Sequence, residues 1–300
     1  MTNLEINKCY VGLDEVDKVY LGSEQVYPTG PTGYASMYLT VEIISASTAT
    51  DTKRFPISNS GLSYSVNDGP WTQAPSTATS GNPLWLTVYP GDIIRFKGIG
   101  AGKSAFHSST QNIALYDVYG NILSLEYGDN FVGQTGFTTN YRPFYSAFRN
   151  NGNRITSKGG VRSAEHLVLP PIVVEDCYRS CFHGNHRMEV GPELPAKTPA
   201  VGCYFFMFGD CFSLTSSPVI QLESLVSGSC YQMLQYCSGL TEITCLAQSG
   251  IDQNDSTTNW VQDVAANGTF YKHPNATWPS GNNGIPSGWT VQDYVAPNNS

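Results

Sequence analysis

Cysteine and histidine are the residues of this chain best suited to metal binding or nucleophilic chemistry, and the sequence contains 8 and 5 of them. Cys177, Cys181, His183 and His186 lie close together, and all four side chains can bind zinc. Structural zinc sites have more tightly paired ligand spacings than these residues show. We therefore favour a different role for the sulfurs, as small apolar side chains in a buried core.

The spacing of the cysteines supports burial because it follows a repeat. Cys-Tyr pairs begin at Cys177, Cys203 and Cys230, at nearly equal intervals that match the period of leucine-rich repeats. Asn and Cys alternate at a second position seven or eight residues later, and apolar residues follow at fixed offsets. In such repeats the short side chain bonds backbone groups in a turn, and larger ones fill a stacked core. The predicted repeat core comprises Cys177, Cys181, Cys203, Met207, Cys211, Leu214, Cys230, Leu234, Cys237 and Leu240.

In this alignment Cys181 takes the place of the apolar residues Met207 and Leu234, which again favours burial. Disulfides between stacked units stay open as an alternative, and their pairing cannot be derived from spacing. Cys9 has no partner nearby in the sequence.

No catalytic motif stands out elsewhere in the chain. The segment from Gly98 to Ser104 resembles a phosphate-binding loop, but Lys97 stands where the motif requires its first glycine, and no convincing helix follows. There is no Gly-x-Ser-x-Gly elbow, His-Glu-x-x-His motif or catalytic-cysteine signature. A glycosidase formed by distant carboxylates has no positive support. We therefore expect no enzyme, no cofactor and no metal.

Tryptophan is the residue type that best suits a binding role here. An indole offers a flat apolar face to a sugar ring, and Trp71 and Trp278 are the candidate glycan contacts. The alternative, which is commoner for such residues, is that they belong to a core or an interface.

The composition indicates many short strands and excludes two classes of partner. Charged residues make up 13%, whereas Gly, Pro and Tyr number 29, 18 and 18. Net charge is −8, and Lys197 and Lys272 are the only lysines or arginines between Met188 and Ser300, so a nucleic-acid backbone finds no basic face. No stretch approaches the ~20 apolar residues of a membrane span, and no signal peptide is evident.

These features predict a mainly β chain with short helices, in five parts. Residues 1–28 contain a short duplication and form a small strand pair for attachment, or alternatively a pair packed on the next domain. Residues 29–33 are a linker, 34–130 a β-sandwich of regularly spaced strands, 131–248 the repeats and 249–300 a C-terminal cap. The predicted attachment residues are Tyr10, Leu13, Val16, Tyr20, Leu21, Val26 and Tyr27.

Three stretches, Tyr119–Gly133, Glu193–Thr215 and Ile285–Asp293, resemble the BspA-like leucine-rich repeat proteins of Bacteroides-type bacteria and their crAss-like phages. The segment Val19–Tyr27 is similar to the N-terminal strand pair of phage appendage proteins. Departures are the short array of about three and a half repeats, the sequence His183-Gly-Asn-His186 in place of a Gly-Cys turn, and no preceding export signal or lipid anchor.

The resemblance implies a structural protein of the phage virion, a head or tail fibre or decoration, that is assembled in the host cytoplasm and then becomes extracellular. It further implies attachment through residues 1–28 to capsid or tail proteins, a homo-oligomer that is most often a trimer, and a surface for host polysaccharide or protein. The alternative is a bacterial surface leucine-rich repeat adhesin.

Overall fold

The computed structural model describes residues 10–11, 14–15, 19–21, 24–27, 30–45, 53–108, 113–152 and 158–296. The chain is mainly β, with 29% strand and 4% helix, which confirms the predicted class. The two helices are α1 (Gly30–Ala35) and α2 (Ser124–Tyr127). The strands are β1 Tyr10–Val11, β2 Asp14–Glu15, β3 Val19–Leu21, β4 Glu24–Tyr27, β5 Leu39–Ser45, β6 Lys53–Ile57, β7 Leu62–Val66, β8 Thr72–Gln73, β9 Leu84–Val88, β10 Ile93–Gly98, β11 Leu115–Asn121, β12 Gly160–Ser163, β13 Leu167–Val168, β14 Glu242–Cys245, β15 Thr269–Lys272 and β16 Thr290–Asp293.

Each copy of the N-terminal duplication pairs with itself. Strand β1 pairs with β2 and β3 with β4, both antiparallel. Five of the predicted attachment residues lie in these strands, whereas Leu13 and Val16 lie outside the described residues. The attachment role stays a prediction.

The expected linker over residues 29–33 stays a prediction, and helix α1 begins within it at Gly30. Pro31 is compatible with a helix here, since the first turn does not need its backbone N–H. At the end of the helix, the Tyr34 ring stacks on His166, with centroids 4.7 Å apart, and meets Tyr119 edge-on. These contacts dock the helix against the β structure.

A seven-stranded sheet in the order β12-β11-β5-β10-β7-β8, with β13 beside β11, forms the first half of the molecule. Strands β6 and β9 form a separate antiparallel pair. The Phe55 ring on β6 lies 5.7 Å from Phe96 on β10 and 5.1 Å from Tyr116 on β11, centroid to centroid. All three rings are buried, so the two sheets share an aromatic core.

Strand β11 begins a column of parallel pairings that runs to the C-terminal part of the chain. Strands β12 and β13 pair parallel with β11, and isolated parallel bridges such as Leu194 with Ile220 follow. Strands β14, β15 and β16 then form a parallel three-stranded sheet.

A second column, made of tight turns, carries the repeats. The backbone N–H of Tyr178 donates to the carbonyl of Cys203 at 3.0 Å, and that of Phe182 to Met207 at 2.9 Å, each in the following unit. The intervening N–H of Cys181 instead donates backward within its own unit, to Tyr178. Successive amides therefore alternate between two roles: one closes a turn within its own unit, and the next bonds the following unit.

These hydrogen bonds correct the predicted alignment of the third unit by a single position. The N–H of Tyr204 donates to Ser229 and that of Cys230 to Ser256, so Cys230 occupies the position of Tyr204 rather than that of Cys203. Likewise Leu234 takes the place of Phe208 rather than that of Met207, because Phe208 and Leu234 both donate to the following unit. This shift lets Leu234 continue a column of core rings.

That column consists of Phe106, Phe148, Phe182 and Phe208, one from each successive unit. Their centroids are 5.1, 5.3 and 5.7 Å apart, close to the roughly 4.8 Å that separates hydrogen-bonded strands. The last two pairs are within 3° of parallel, and all four rings are buried.

The turn ladder extends beyond its predicted limits at both ends. It begins at Ser104 and Phe106, which donate to Tyr145 and Ala147, inside the segment assigned to a sandwich. The expectation that the pattern stops after Gln248 is also wrong, since Leu234 donates to Trp260 at 2.9 Å. One continuous buried cluster runs from Leu39 to Trp289 and includes both halves. The domain boundaries themselves stay a prediction.

Replacing Phe182 with alanine is expected to lower the free energy of unfolding by about 3–5 kcal/mol, because it leaves a cavity between two stacked rings. The same change at Tyr89, which is 63% exposed, is expected to alter it by less than about 0.5 kcal/mol. Urea unfolding of both variants checks the comparison. Equal effects would contradict the ring column.

Candidate ligand-binding surface

The seven described cysteines are free thiols and all are buried. They include six of the predicted repeat-core residues, and the other four, Met207, Leu214, Leu234 and Leu240, are buried as well. Burial raises the pKa of the Cys203, Cys237 and Cys245 thiols to about 12. Protonated thiols are poor nucleophiles, and the buried sulfurs pack in the core. Cys9 lies outside the described residues.

One repeat position performs the same task with two residue types. The Cys211 thiol donates to the Phe182 carbonyl at 3.4 Å, and the Cys237 thiol to Phe208 at 3.1 Å. At the equivalent place the Asn185 amide donates to Phe148 at 2.9 Å. The alternation of Asn and Cys in the sequence predicted this bond to turn backbone.

The four candidate zinc ligands do not converge on one site. His183 lies 3.1 Å from an Asp210 oxygen through Nε2 and packs on Phe206, while the His186 ring stacks on Phe212. Cys177 and Cys181 point into the core instead. In the part of the chain that the structure describes, no group of three or more candidate ligands could hold a metal ion.

The segment that resembles a phosphate loop belongs to the scaffold. Its amides at Ala101 and Ser104 already donate to the carbonyls of Leu125 and Tyr145. A side chain at Gly102 would collide with the Phe144 ring. This glycine therefore serves close packing, and these two amides do not form an anion cradle.

Trp71 lies at the centre of a polar and aromatic surface formed with Tyr38, Lys97 and Asp129, which we call the Trp71 surface. Strand β10 supplies Lys97, the residue before β5 supplies Tyr38, and the short 3-10 turn Gly128–Asn130 supplies Asp129. The indole is 38% exposed, with the Lys97 Nζ 4.4 Å from its centroid and the Tyr38 ring edge-on at 5.1 Å.

Asp129 connects two side chains of this surface, Tyr38 and Lys97. Its Oδ1 accepts hydrogen bonds from the Tyr38 hydroxyl at 2.6 Å and from Lys97 at 2.7 Å. The Lys97 and Tyr38 bonds lower the pKa of Asp129, while burial and the nearby carboxylate raise the pKa of Tyr38 to about 12. An exposed ring beside a fixed ammonium and carboxylate can stack on a sugar and bond its hydroxyls.

The prediction of a glycan contact at Trp278 is wrong. Trp278 is only 9% exposed, and its ring stacks on Trp260 at 5.1 Å and meets Phe270 edge-on. Burial has a physical cause, because Trp260 continues the repeat stack and needs an apolar neighbour on its far side. No open indole face of the size of a pyranose is left on Trp278.

Sequence reasoning missed a row of planar side chains on the outer face of the repeats. Arg179, Phe205 and Tyr231 recur at the repeat period, one in each unit. The Arg179 guanidinium lies 3.9 Å from the centroid of Phe205, whose ring stacks on Tyr231 at 4.4 Å. The period was visible in the sequence, but the mixture of charged and aromatic types does not resemble an apolar core position.

No family model, curated protein or solved structure matches this chain. Within the described ranges, no helix has both the length and the apolar character needed to cross a bilayer.

In a Cys9→Ser background, none of the thiols is expected to react with a disulfide reagent at pH 8 while the protein is folded, because burial keeps them protonated. All seven are expected to react after unfolding in urea. Timed spectrophotometric titration measures both numbers. Rapid reaction of even one thiol in the native protein would contradict the buried role.

The same thiols are expected to make stability depend on alkaline pH. Their pKa values are higher in the folded chain than the roughly 8.5 of an unfolded cysteine, so their stabilising contribution is complete below that value. It is lost as pH rises from about 8.5 toward 12. The free energy of unfolding, measured with urea at pH 8 and pH 10, should fall more for Cys9→Ser than for Cys9→Ser/Cys237→Ala.

Proposed function

We propose that this chain is a structural and binding protein, not an enzyme, in which leucine-rich-type units form a solenoid joined to a β-sandwich. The observation that carries this proposal is the backbone ladder, because hydrogen bonds of 2.7 to 3.1 Å link units from Phe106 to Trp260. A single unit is too small to bury its apolar face alone, so successive units stack and bury these faces against one another. Such a stack makes a rigid support for surface side chains.

The Trp71 surface is the binding element of the proposal, and host glycan is its proposed ligand. Asp129 holds the Tyr38 hydroxyl and the Lys97 ammonium in place there, so these two side chains lose little conformational entropy on binding. Its counterpart Trp278 no longer supports glycan binding.

The virion assignment rests on the resemblance to BspA-like proteins of phages. We propose a head or tail fibre or decoration that attaches by residues 1–28 and assembles as a trimer. The two small strand pairs support this role, since two-stranded units are marginal on their own and gain stability in an oligomer. A bacterial surface adhesin is the second candidate, and it predicts an export route and a monomer.

Deletion of residues 1–28 is expected to abolish incorporation into particles while leaving the rest folded, because the core cluster begins at Leu39. Mass spectrometry of purified particles, made with the full chain and with the deletion, measures incorporation. Far-ultraviolet circular dichroism of the deleted protein serves as the folding control. Normal incorporation would contradict attachment through this segment.

Replacing Trp71 with alanine is expected to weaken binding to host surface polysaccharide by about tenfold or more, since it removes the stacking face, worth about 1.4 kcal/mol. Tyr89→Ala, at another exposed aromatic, is the matched control and should leave binding unchanged. Affinity electrophoresis of both variants measures the change. Equal retardation of wild type and Trp71→Ala would count against this surface.

A further inference from the structure

The outer row of the repeat column contains a planar side chain in each of four successive units. Following the ladder, the equivalent residues are Tyr145, Arg179, Phe205, Tyr231 and Thr258. The Arg142 guanidinium lies 5.1 Å from the Tyr145 centroid at the start of the row. Arg179, Phe205 and Tyr231 then stack on one another at 3.9 and 4.4 Å. The row of planar groups ends at Thr258, which has no ring.

The last ring therefore has one face on which no ring of the described residues stacks. Phe205 occupies one face of Tyr231 at an interplanar angle of 12°, and the other face is directed along the stack toward Thr258. The exposed carboxylate of Asp255 lines one groove with Tyr231, and its Oδ1 accepts the Thr258 hydroxyl at 3.1 Å. Stacking and hydroxyl recognition are thus available at one place.

A groove of about 370 Å³ runs along this edge and includes Tyr231 and Asp255. Gly202 and Gly228 line the same groove, and both adopt the left-handed backbone region, with φ of 62° and 64°. A side chain at Gly202 would collide with Asp176, and the lack of one keeps the groove open.

The charges of the groove point to a neutral ligand. Two arginines line it, Arg142 and Arg179, against three carboxylates, and both arginines already pair with Asp176. An acidic ligand would find no excess of positive charge, and the chain as a whole carries −8.

We infer that this groove binds a neutral saccharide, with one pyranose ring stacked on the free face of Tyr231 and its hydroxyls bonded to Asp255. The sugar supplies the flat apolar face that Thr258 does not. This site is separate from the Trp71 surface and goes beyond the function proposed above.

Affinity electrophoresis in native gels that contain dextran, mannan or galactomannan tests the inference, with polygalacturonate as the acidic comparison. The wild type is expected to be retarded by at least one neutral polymer. Thr258→Tyr should abolish that retardation, because the new ring covers the Tyr231 face without removing any core group. Tyr231→Ala should weaken binding at least tenfold and Asp255→Asn by several-fold.

Tyr89→Ala is the control for loss of an exposed aromatic, and Trp71→Ala separates the two sites. The inference fails if no neutral polymer retards the wild type, if only polygalacturonate does, or if Thr258→Tyr binds as the wild type does. Loss in Trp71→Ala alone would favour the Trp71 surface and overturn the groove. Loss in Thr258→Tyr would support the groove whether or not Trp71→Ala also loses binding.

Discussion

In the column of tight turns, every second backbone N–H is donated to a carbonyl of the unit that follows, and the packing of the repeats depends on this register. The donors Tyr178, Tyr204 and Cys230 are equivalent, as are Phe182, Phe208 and Leu234. Side chains at equivalent positions are therefore held at the spacing of a hydrogen-bonded sheet, which is also a good distance for stacked rings. The core column and the outer row both follow from this one constraint.

The register also imposes a backbone requirement. In each unit a residue with positive φ recurs about every fourth position, for example at Asp176, Ser180 and Gly184. Gly and Asp tolerate this region, whereas Ser180, Phe206 and Tyr236 adopt it at a cost of about 1–2 kcal/mol each. Glycine is required at Gly184 for a second reason, since a side chain there would collide with the Asn150 carbonyl. Inter-unit hydrogen bonds and ring packing offset that strain.

Much of the scaffold could be predicted, because residues that recur at the repeat period form its core. The mainly β class, the burial of the cysteines and the bond made by Asn185 and Cys237 follow from composition and spacing. The sequence alignment placed Cys230 one position out of register because it matched Cys-Tyr dipeptides. Repeat register is set by which backbone amides donate to the next unit, and a sequence does not show this. Units beyond Gln248 were missed because Trp260 replaces Met233, so neither cysteine nor methionine marks them.

Surface sites were less predictable, since their geometry depends on contacts distant in sequence. Trp71 was a candidate from its residue type alone, but its ring contacts Lys97, which is bound by Asp129 from a turn much later in the chain. Trp278 has the same residue type and is buried, because Trp260 needs a neighbour at the end of the stack. Residue type suggests which side chains could contact a ligand, whereas the stacking of the units determines which of them are exposed.

Native-state hydrogen exchange tests most directly whether the ladder joins the repeats and the first sheet into one cooperative body. The amide protons of Phe182, Phe208 and Leu234 bond the next unit, and that of Ile43 bonds Asp92 in the sheet region. Our account predicts that all four exchange with the same free energy of opening, equal to that of global unfolding. Exchange of the three repeat amides through an opening of clearly lower free energy, while Ile43 stays protected, would contradict it.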